Sequence, residues 1–85
     1  MEPSHLGGDI VDTTYMENHS YDEIQHHKFY KVVLVHATRG FYVFTNWGRV
    51  GTTGQAATDG PIADRDDAYT KFRKVVDNKR SRGYF

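Results

Sequence analysis

The residues best suited to chemistry are a tryptophan and an arginine that stand two positions apart in a glycine-rich segment. Trp47 is the only tryptophan of the 85-residue chain, and Arg49 follows it. An exposed indole can stack on a base, which stabilises binding by about 1 to 3 kcal/mol per base, and a guanidinium forms forked hydrogen bonds to phosphate or carboxylate. The alternative is structural: large aromatic side chains are usually buried, and Arg49 could form a weak surface ion pair with an acid such as Asp64 or Asp66. The residues alone leave both interpretations open.

Glycines and basic residues surround these two side chains in the sequence. Gly48, Gly51 and Gly54 do not have the spacing of a P-loop or a dinucleotide-binding fingerprint, so turn geometry explains them better than phosphate binding. A later run of cations could follow a phosphate backbone or could simply form the solvated face of a helix. We expect one or two of its members, chiefly at the C-terminal end, to contact nucleic acid. The run comprises Lys71, Arg73, Lys74, Lys79, Arg80 and Arg82.

Catalytic and metal-binding chemistry has little support in the sequence. There is no cysteine, and the five histidines form neither an H-x3-H pair nor an HExxH motif; they are His5, His19, His26, His27 and His36. The acids fall in a tail, a turn and a helix start rather than in a paired arrangement. We therefore expect a protein that is not an enzyme, binds no metal and uses no cofactor.

Composition and charge point to one small basic domain. Hydrophobic residues make up 38% of the chain and the mean hydropathy is −0.71, so the core must rely on the aromatic residues. Residues 1–27 carry six acids and no Lys or Arg, for a net charge of −6, whereas residues 28–85 carry all 11 Lys and Arg with five acids, for a net charge of +6. A basic domain of this size suits a polyanion, although a charged solubilising surface would look the same. No membrane span or secretory signal is readable.

The residue pattern predicts an α+β fold in which a small antiparallel sheet of about four strands, curled, carries one packed helix. Residues 1–20 are expected to form a flexible, mostly irregular acidic tail, and residues 21–85 the domain. Strands are predicted at residues 28–36 and 41–47, the first of them apolar on both faces, and another near Gln55. A turn is predicted at residues 59–61. A helix is predicted from Arg65 to Lys79 with Asp64 as its N-cap, and Gly83 closes the helix or a following turn. Its apolar stripe comprises Ala68, Tyr69, Phe72, Val75 and Val76.

One run of residues resembles the signature of a known family. The run from Trp47 to Gln55, WGRVGTTGQ, is similar to the motif that names the WGR domain. Other matching positions are Lys28-Phe29-Tyr30 before it and Ala68, Phe72, Lys79 and Gly83-Tyr84 after it. The resemblance extends over residues 21–85. It departs from the family at His26-His27, where asparagines are common, and after Tyr84, where many members continue into another strand.

The resemblance implies a DNA-binding module, because WGR domains of DNA-damage-dependent poly(ADP-ribose) polymerases read DNA breaks. By that resemblance, Trp47 stacks at a terminal nucleotide, Arg49 bridges DNA and neighbouring domains, and Lys28 contacts a phosphate. The expected partner is therefore a DNA end or nick, bound by a monomer that resides in the nucleus of a eukaryote or the cytoplasm of a bacterium. The transferase domain of those polymerases would need far more residues. The remaining expected DNA contacts are His27, Gly48, Lys79 and Tyr84.

Two alternatives to DNA-end recognition remain. The first is a docking module that relays a DNA-damage signal to a polymerase catalytic domain. The second is a module that binds single-stranded nucleic acid or RNA through Trp47 and exposed tyrosines.

Overall fold

Four antiparallel strands and one helix make up the computed structural model, which describes residues 8–19 and 27–85. The sheet is open and follows chain order, with the first and fourth strands at its edges. The α+β architecture with a single packed helix is therefore confirmed, whereas the curl of the sheet stays a prediction. The elements are β1 (Asp9–His19), β2 (His27–Ala37), β3 (Gly40–Arg49), β4 (Gln55–Ile62) and α1 (Arg65–Ser81).

Strand β1 is the element that the sequence analysis missed. The prediction that residues 1–20 are mostly irregular is wrong for Asp9–His19, which pair with β2 along their length; residues 1–7 and 20 lie outside the described residues. Met16 of this edge strand is buried in the core with 1% of its surface exposed, whereas Ile10 and Tyr15 are 60% and 52% exposed. Its hydrophobic alternation is consequently too weak to distinguish it from an acidic tail.

The two central strands contribute buried side chains to both faces of the sheet, as the continuous apolar pattern of β2 predicted for that strand. On one face, Val32 and Leu34 of β2 pack in a cluster with Phe72 and Val76 of α1. On the other face, Val33, Val35 and Phe44 form a second buried cluster. This two-sided burial explains why residues 32–35 include no polar side chain.

Strand β4 passes through the segment that was predicted to be a turn. That prediction is wrong, because residues 59–61 lie inside β4. Phe41 pairs with Ile62 and Val43 pairs with Asp59, so β4 contains one extra residue between these pairs. Gly60 lies there with φ at 140°, and a Cβ on it would lie 2.7 Å from the Phe41 carbonyl oxygen. The turn-forming residues therefore mark a β-bulge.

Helix α1 begins where the sequence predicted and ends two residues later. The Asp64 carboxylate caps it by accepting hydrogen bonds from the backbone N–H groups of Asp66 and Asp67, at 2.7 and 3.3 Å. Ala68, Phe72 and Val76 are the buried residues of its predicted apolar stripe, while Tyr69 and Val75 pack against the same core from half-buried positions.

The residues after α1 return the chain to the sheet. Gly83 has φ at 96°, its N–H donates to the Arg80 carbonyl, and the Tyr84 N–H donates to the Lys79 carbonyl, both at 3.1 Å. This pattern is a Schellman motif, which confirms the predicted role of Gly83. Phe85 then exchanges two backbone hydrogen bonds of 2.9 Å with Glu17 on the outer edge of β1. Tyr84 is therefore held between two fixed backbone segments.

Candidate nucleic-acid interface

The candidate site lies where β2 begins and β3 ends. In the antiparallel register Lys28 is opposite Arg49 and Tyr30 is opposite Trp47. Residues two apart on a strand share a face, so these four side chains lie on the face that α1 packs against. The register thereby places two cations next to two aromatic rings at one end of the sheet.

Trp47 is half-buried within a group of aromatic rings. Its ring stacks with that of Tyr30, with centroids 5.9 Å apart and an angle of 20° between the planes. Tyr84 meets Tyr30 edge to face, also at 5.9 Å. The indole is thus supported on one side by Tyr30 and still contributes surface to solvent, which differs from the fully buried alternative that the sequence left open.

An open cavity of about 400 Å³ adjoins this aromatic group. Lys28 and Arg49 are both exposed at it, and no acid of the described chain contributes to its walls. The structure also gives Arg49 no acidic partner among residues 8–19 and 27–85. Of the two acids considered from sequence, Asp64 caps α1 and Asp66 lies in its first turn. The cavity is therefore cationic and aromatic; it is lined by Lys28, Trp47, Gly48, Arg49 and Tyr84.

The loop after Trp47 is shaped by close backbone approach. Gly54 has φ at 67°, and a Cβ on it would lie 2.2 Å from the Trp47 carbonyl oxygen. The Asn46 side-chain amide donates to the carbonyls of Thr53 and Gln55, at 3.0 and 2.8 Å. These contacts support loop geometry as the reason for Gly54, whereas Gly48 lies within β3 opposite Phe29. They also fix the backbone that carries Trp47.

Tyr30 is a central residue of the site, although the sequence indicated it only as the last residue of the Lys28-Phe29-Tyr30 motif. Lys79 places its Nζ 4.5 Å from the Tyr30 ring centroid, a cation–π contact. Burial raises the pKa of Tyr30 above its ordinary value, and the hydrogen bond with Thr45 opposes that effect. The hydroxyl is therefore protonated at neutral pH. The sequence could have indicated Tyr30 through its position two residues after Lys28, because that strand pairs with the strand that carries Trp47.

The seven residues predicted to bind nucleic acid do not all meet in the cavity. Five line it, and Lys79 adjoins it through Tyr30. His27 is exposed at the start of β2, where its carbonyl accepts the Val50 N–H at 2.9 Å, but it does not line the cavity.

The part of the chain that the structure describes shows neither a metal-binding cluster nor a helix that could span a membrane. No group of three or more His, Asp or Glu side chains there is arranged to hold a metal ion. None of its helices combines the length and apolar character needed to cross a membrane.

Comparison with known proteins finds that the sequence is similar to one family. The sequence model of the WGR domain matches residues 13–85, which takes in part of β1 as well as the segment whose resemblance was noted. Curated relatives include a protein named poly [ADP-ribose] polymerase 2 from Zea mays, 34% identical over 76 residues that cover 87% of this chain and 11% of that protein. One of the same name from Arabidopsis thaliana is 31% identical over 75 residues, covering 86% and 12%.

A third curated relative is also named as a poly [ADP-ribose] polymerase. Poly [ADP-ribose] polymerase 2-A from Oryza sativa subsp. japonica is 34% identical over 68 residues, or 78% of this chain and 10% of that protein. The chain thus spans about a tenth of the length of these relatives. No solved structure matches it significantly.

Proposed function

Because this chain belongs to the WGR domain family, and because its curated relatives are named as poly(ADP-ribose) polymerases, we propose that it is a module that recognises DNA ends or breaks. The observation that carries the proposal is the cavity in which Trp47 adjoins Lys28 and Arg49, with no acid among the residues of 8–19 and 27–85 that line it. The site needs no catalytic group for this role.

The aromatic part of the cavity supports a preference for ends over continuous duplex. A base in the interior of a duplex already stacks on both neighbours, whereas the terminal base pair or a base at a break leaves one π-face open. Trp47 is half-buried and backed by Tyr30, so it offers a limited ring surface that an open terminal face can reach. Stacking of this kind stabilises binding by about 1 to 3 kcal/mol per base.

The charged part of the cavity supplies the second half of the recognition. Lys28 and Arg49 are paired across β2 and β3, which keeps their two positive charges at the same edge of the aromatic surface. In our proposal they contact the phosphates next to the terminal nucleotide, where Arg49 can form a forked hydrogen bond. Tyr84 lines the same cavity, and Lys79 adjoins it through Tyr30.

The direct test compares open and closed ends. Fluorescence anisotropy would measure the affinity for a blunt duplex and for the same duplex closed at both ends by hairpin loops. We expect tighter binding to the open duplex, and we expect Trp47→Ala to remove the difference while the circular dichroism spectrum is retained. Arg39→Ala removes a cation from the β2–β3 turn at the opposite end of β3 and is the matched control. Equal affinity for open and closed duplexes would contradict the proposal.

A docking role is the second candidate, and one observation favours it. Val50 is 40% exposed and directly follows Arg49, which has no acidic partner among the described residues; arginine is enriched at protein interfaces, whose buried centres are apolar. In that case Arg49 contacts an acidic partner surface, and the isolated domain binds DNA weakly and without preference for ends. Capture of a partner domain that survives high salt, where phosphate contacts weaken, would favour docking.

A further inference from the structure

A second cavity, lined in part by Tyr30, the ring that stacks with Trp47, lies along α1. Its volume is about 610 Å³, and its lining includes Tyr30, Lys74, Val75, Asn78 and Lys79. We propose that this cavity, here called the helix groove, binds the single-stranded overhang of a DNA end whose terminal base pair lies at Trp47. The inference rests on the proposed function and adds to it a substrate class, DNA ends with a short unpaired extension.

Tyr30 connects the two sites. One neighbour of its ring is Trp47, at 5.9 Å, and another is the Lys79 ammonium, at 4.5 Å from the ring centroid. The same residue also lines the helix groove. A strand that continues past the base pair at Trp47 would therefore meet an aromatic ring with a cation beside it.

The groove offers the groups that an unpaired nucleotide requires. Tyr30 and half-buried Val75 provide apolar surface for a base, and the Asn78 amide can both donate and accept hydrogen bonds with base edges. Lys74 and Lys79 provide positive charge for phosphates, and neither has an acidic partner among the residues that the structure describes. These two cations of α1 thus lie beside a cavity that has an aromatic residue in its wall.

The charge pattern also limits the length of strand that fits. Farther toward the start of α1, Asp67 lines the groove and Lys71 forms an ion pair with Asp59 of β4. The favourable part therefore runs from Lys79 to Lys74, about 7.5 Å at a helical rise of about 1.5 Å per residue. With an axial rise of about 3.4 Å per nucleotide in a stacked strand, this length accommodates about two or three nucleotides.

The test uses one duplex that is closed by a hairpin at its far end. Its near end is blunt or carries one, two, three or six unpaired thymidines on either the 3′ or the 5′ strand, and anisotropy measures each affinity. We expect at least one overhang polarity to bind about fivefold more tightly than the blunt end, with the gain complete by about three nucleotides. Lys74→Gln should abolish most of the gain, leave blunt-end binding unchanged and lower the salt slope for overhangs by about 0.7.

The control variant separates the groove from general charge. Arg73→Gln removes a neighbouring cation that contacts the Tyr69 ring and does not line the helix groove, so it should affect blunt and overhang ends equally. No gain from either overhang, or an equal loss in both helix variants, would overturn the inference while leaving end recognition intact. Equal affinity for the blunt duplex and a fully closed duplex would instead overturn the proposed function, and the groove proposal with it.

Discussion

The rings of Tyr30 and Trp47 stack across two paired strands, with their centroids 5.9 Å apart. The next pair toward the end of the sheet joins Lys28 to Arg49. Because both pairs are set by one strand register, the aromatic surface and its cations form a single unit. A slip of one residue would move one strand's members of both pairs to the other face of the sheet.

The first prediction concerns alkaline pH and Tyr30. Burial raises the pKa of Tyr30 in the folded protein, so the folded state disfavours the phenolate relative to the unfolded chain. This contribution to the free energy of unfolding is fully present below the pKa of Tyr in the unfolded chain, about 10. It is lost as the pH rises through the pKa of Tyr30 in the folded protein. We expect Tyr30→Phe to reduce the fall in urea midpoint between about pH 9 and 11. An identical fall in both proteins would contradict this account.

The second prediction concerns the glycines of the loop after Trp47. Gly54→Ala combines a positive φ with a Cβ 2.2 Å from the Trp47 carbonyl oxygen. Gly51→Ala has φ at 92° but no atom within 4 Å of the added Cβ. We expect Gly51→Ala to cost about 1 to 2 kcal/mol of unfolding free energy and Gly54→Ala clearly more, as measured by urea denaturation. A milder effect at Gly54 than at Gly51 would show that the backbone approach is unimportant.

The third prediction concerns the start of α1. Asp64→Ala removes the side chain that accepts from two N–H groups of the first turn. We expect a loss of about 1 kcal/mol in the free energy of unfolding. Asp77→Ala, at an exposed position in the C-terminal part of the helix, provides the control for removal of an acid and should change stability by no more than about 0.5 kcal/mol. An equal loss of stability in the two variants would contradict the capping role of Asp64.

The fourth prediction concerns the salt dependence of DNA binding. If Arg49 neutralises one phosphate, Arg49→Ala should lower the slope of log affinity against log salt by about 0.9. The distal Arg39→Ala should leave the slope unchanged. Titrations of a blunt duplex at several salt concentrations measure both. An unchanged slope for Arg49→Ala would assign Arg49 to a protein partner instead.

Much of the fold follows from local patterns in the sequence. The N-cap at Asp64 and the apolar spacing of Ala68, Phe72 and Val76 predict α1 because its signals lie within a few residues of each other. The continuous apolar run of β2 likewise predicts a central strand. Strand β1 was not predicted, since an edge strand that buries Met16 and exposes Tyr15 has a weak periodic signal.

The site was harder to predict than the fold because it depends on register. The sequence and its family resemblance indicated Trp47 and Arg49, but the contact between Tyr30 and Trp47 is set by the pairing of β2 with β3. The helix groove depends in addition on where α1 lies over the sheet. Neither relationship is encoded in the spacing of residues along one segment.

The most direct test of DNA-end recognition uses the intrinsic fluorescence of Trp47, the only tryptophan of the chain. Titration with a blunt duplex should quench its emission in parallel with binding, and a duplex closed at both ends by hairpins should quench it only at much higher concentration. Emission that stays unchanged while the blunt duplex binds to saturation, or that responds equally to both duplexes, would contradict the account.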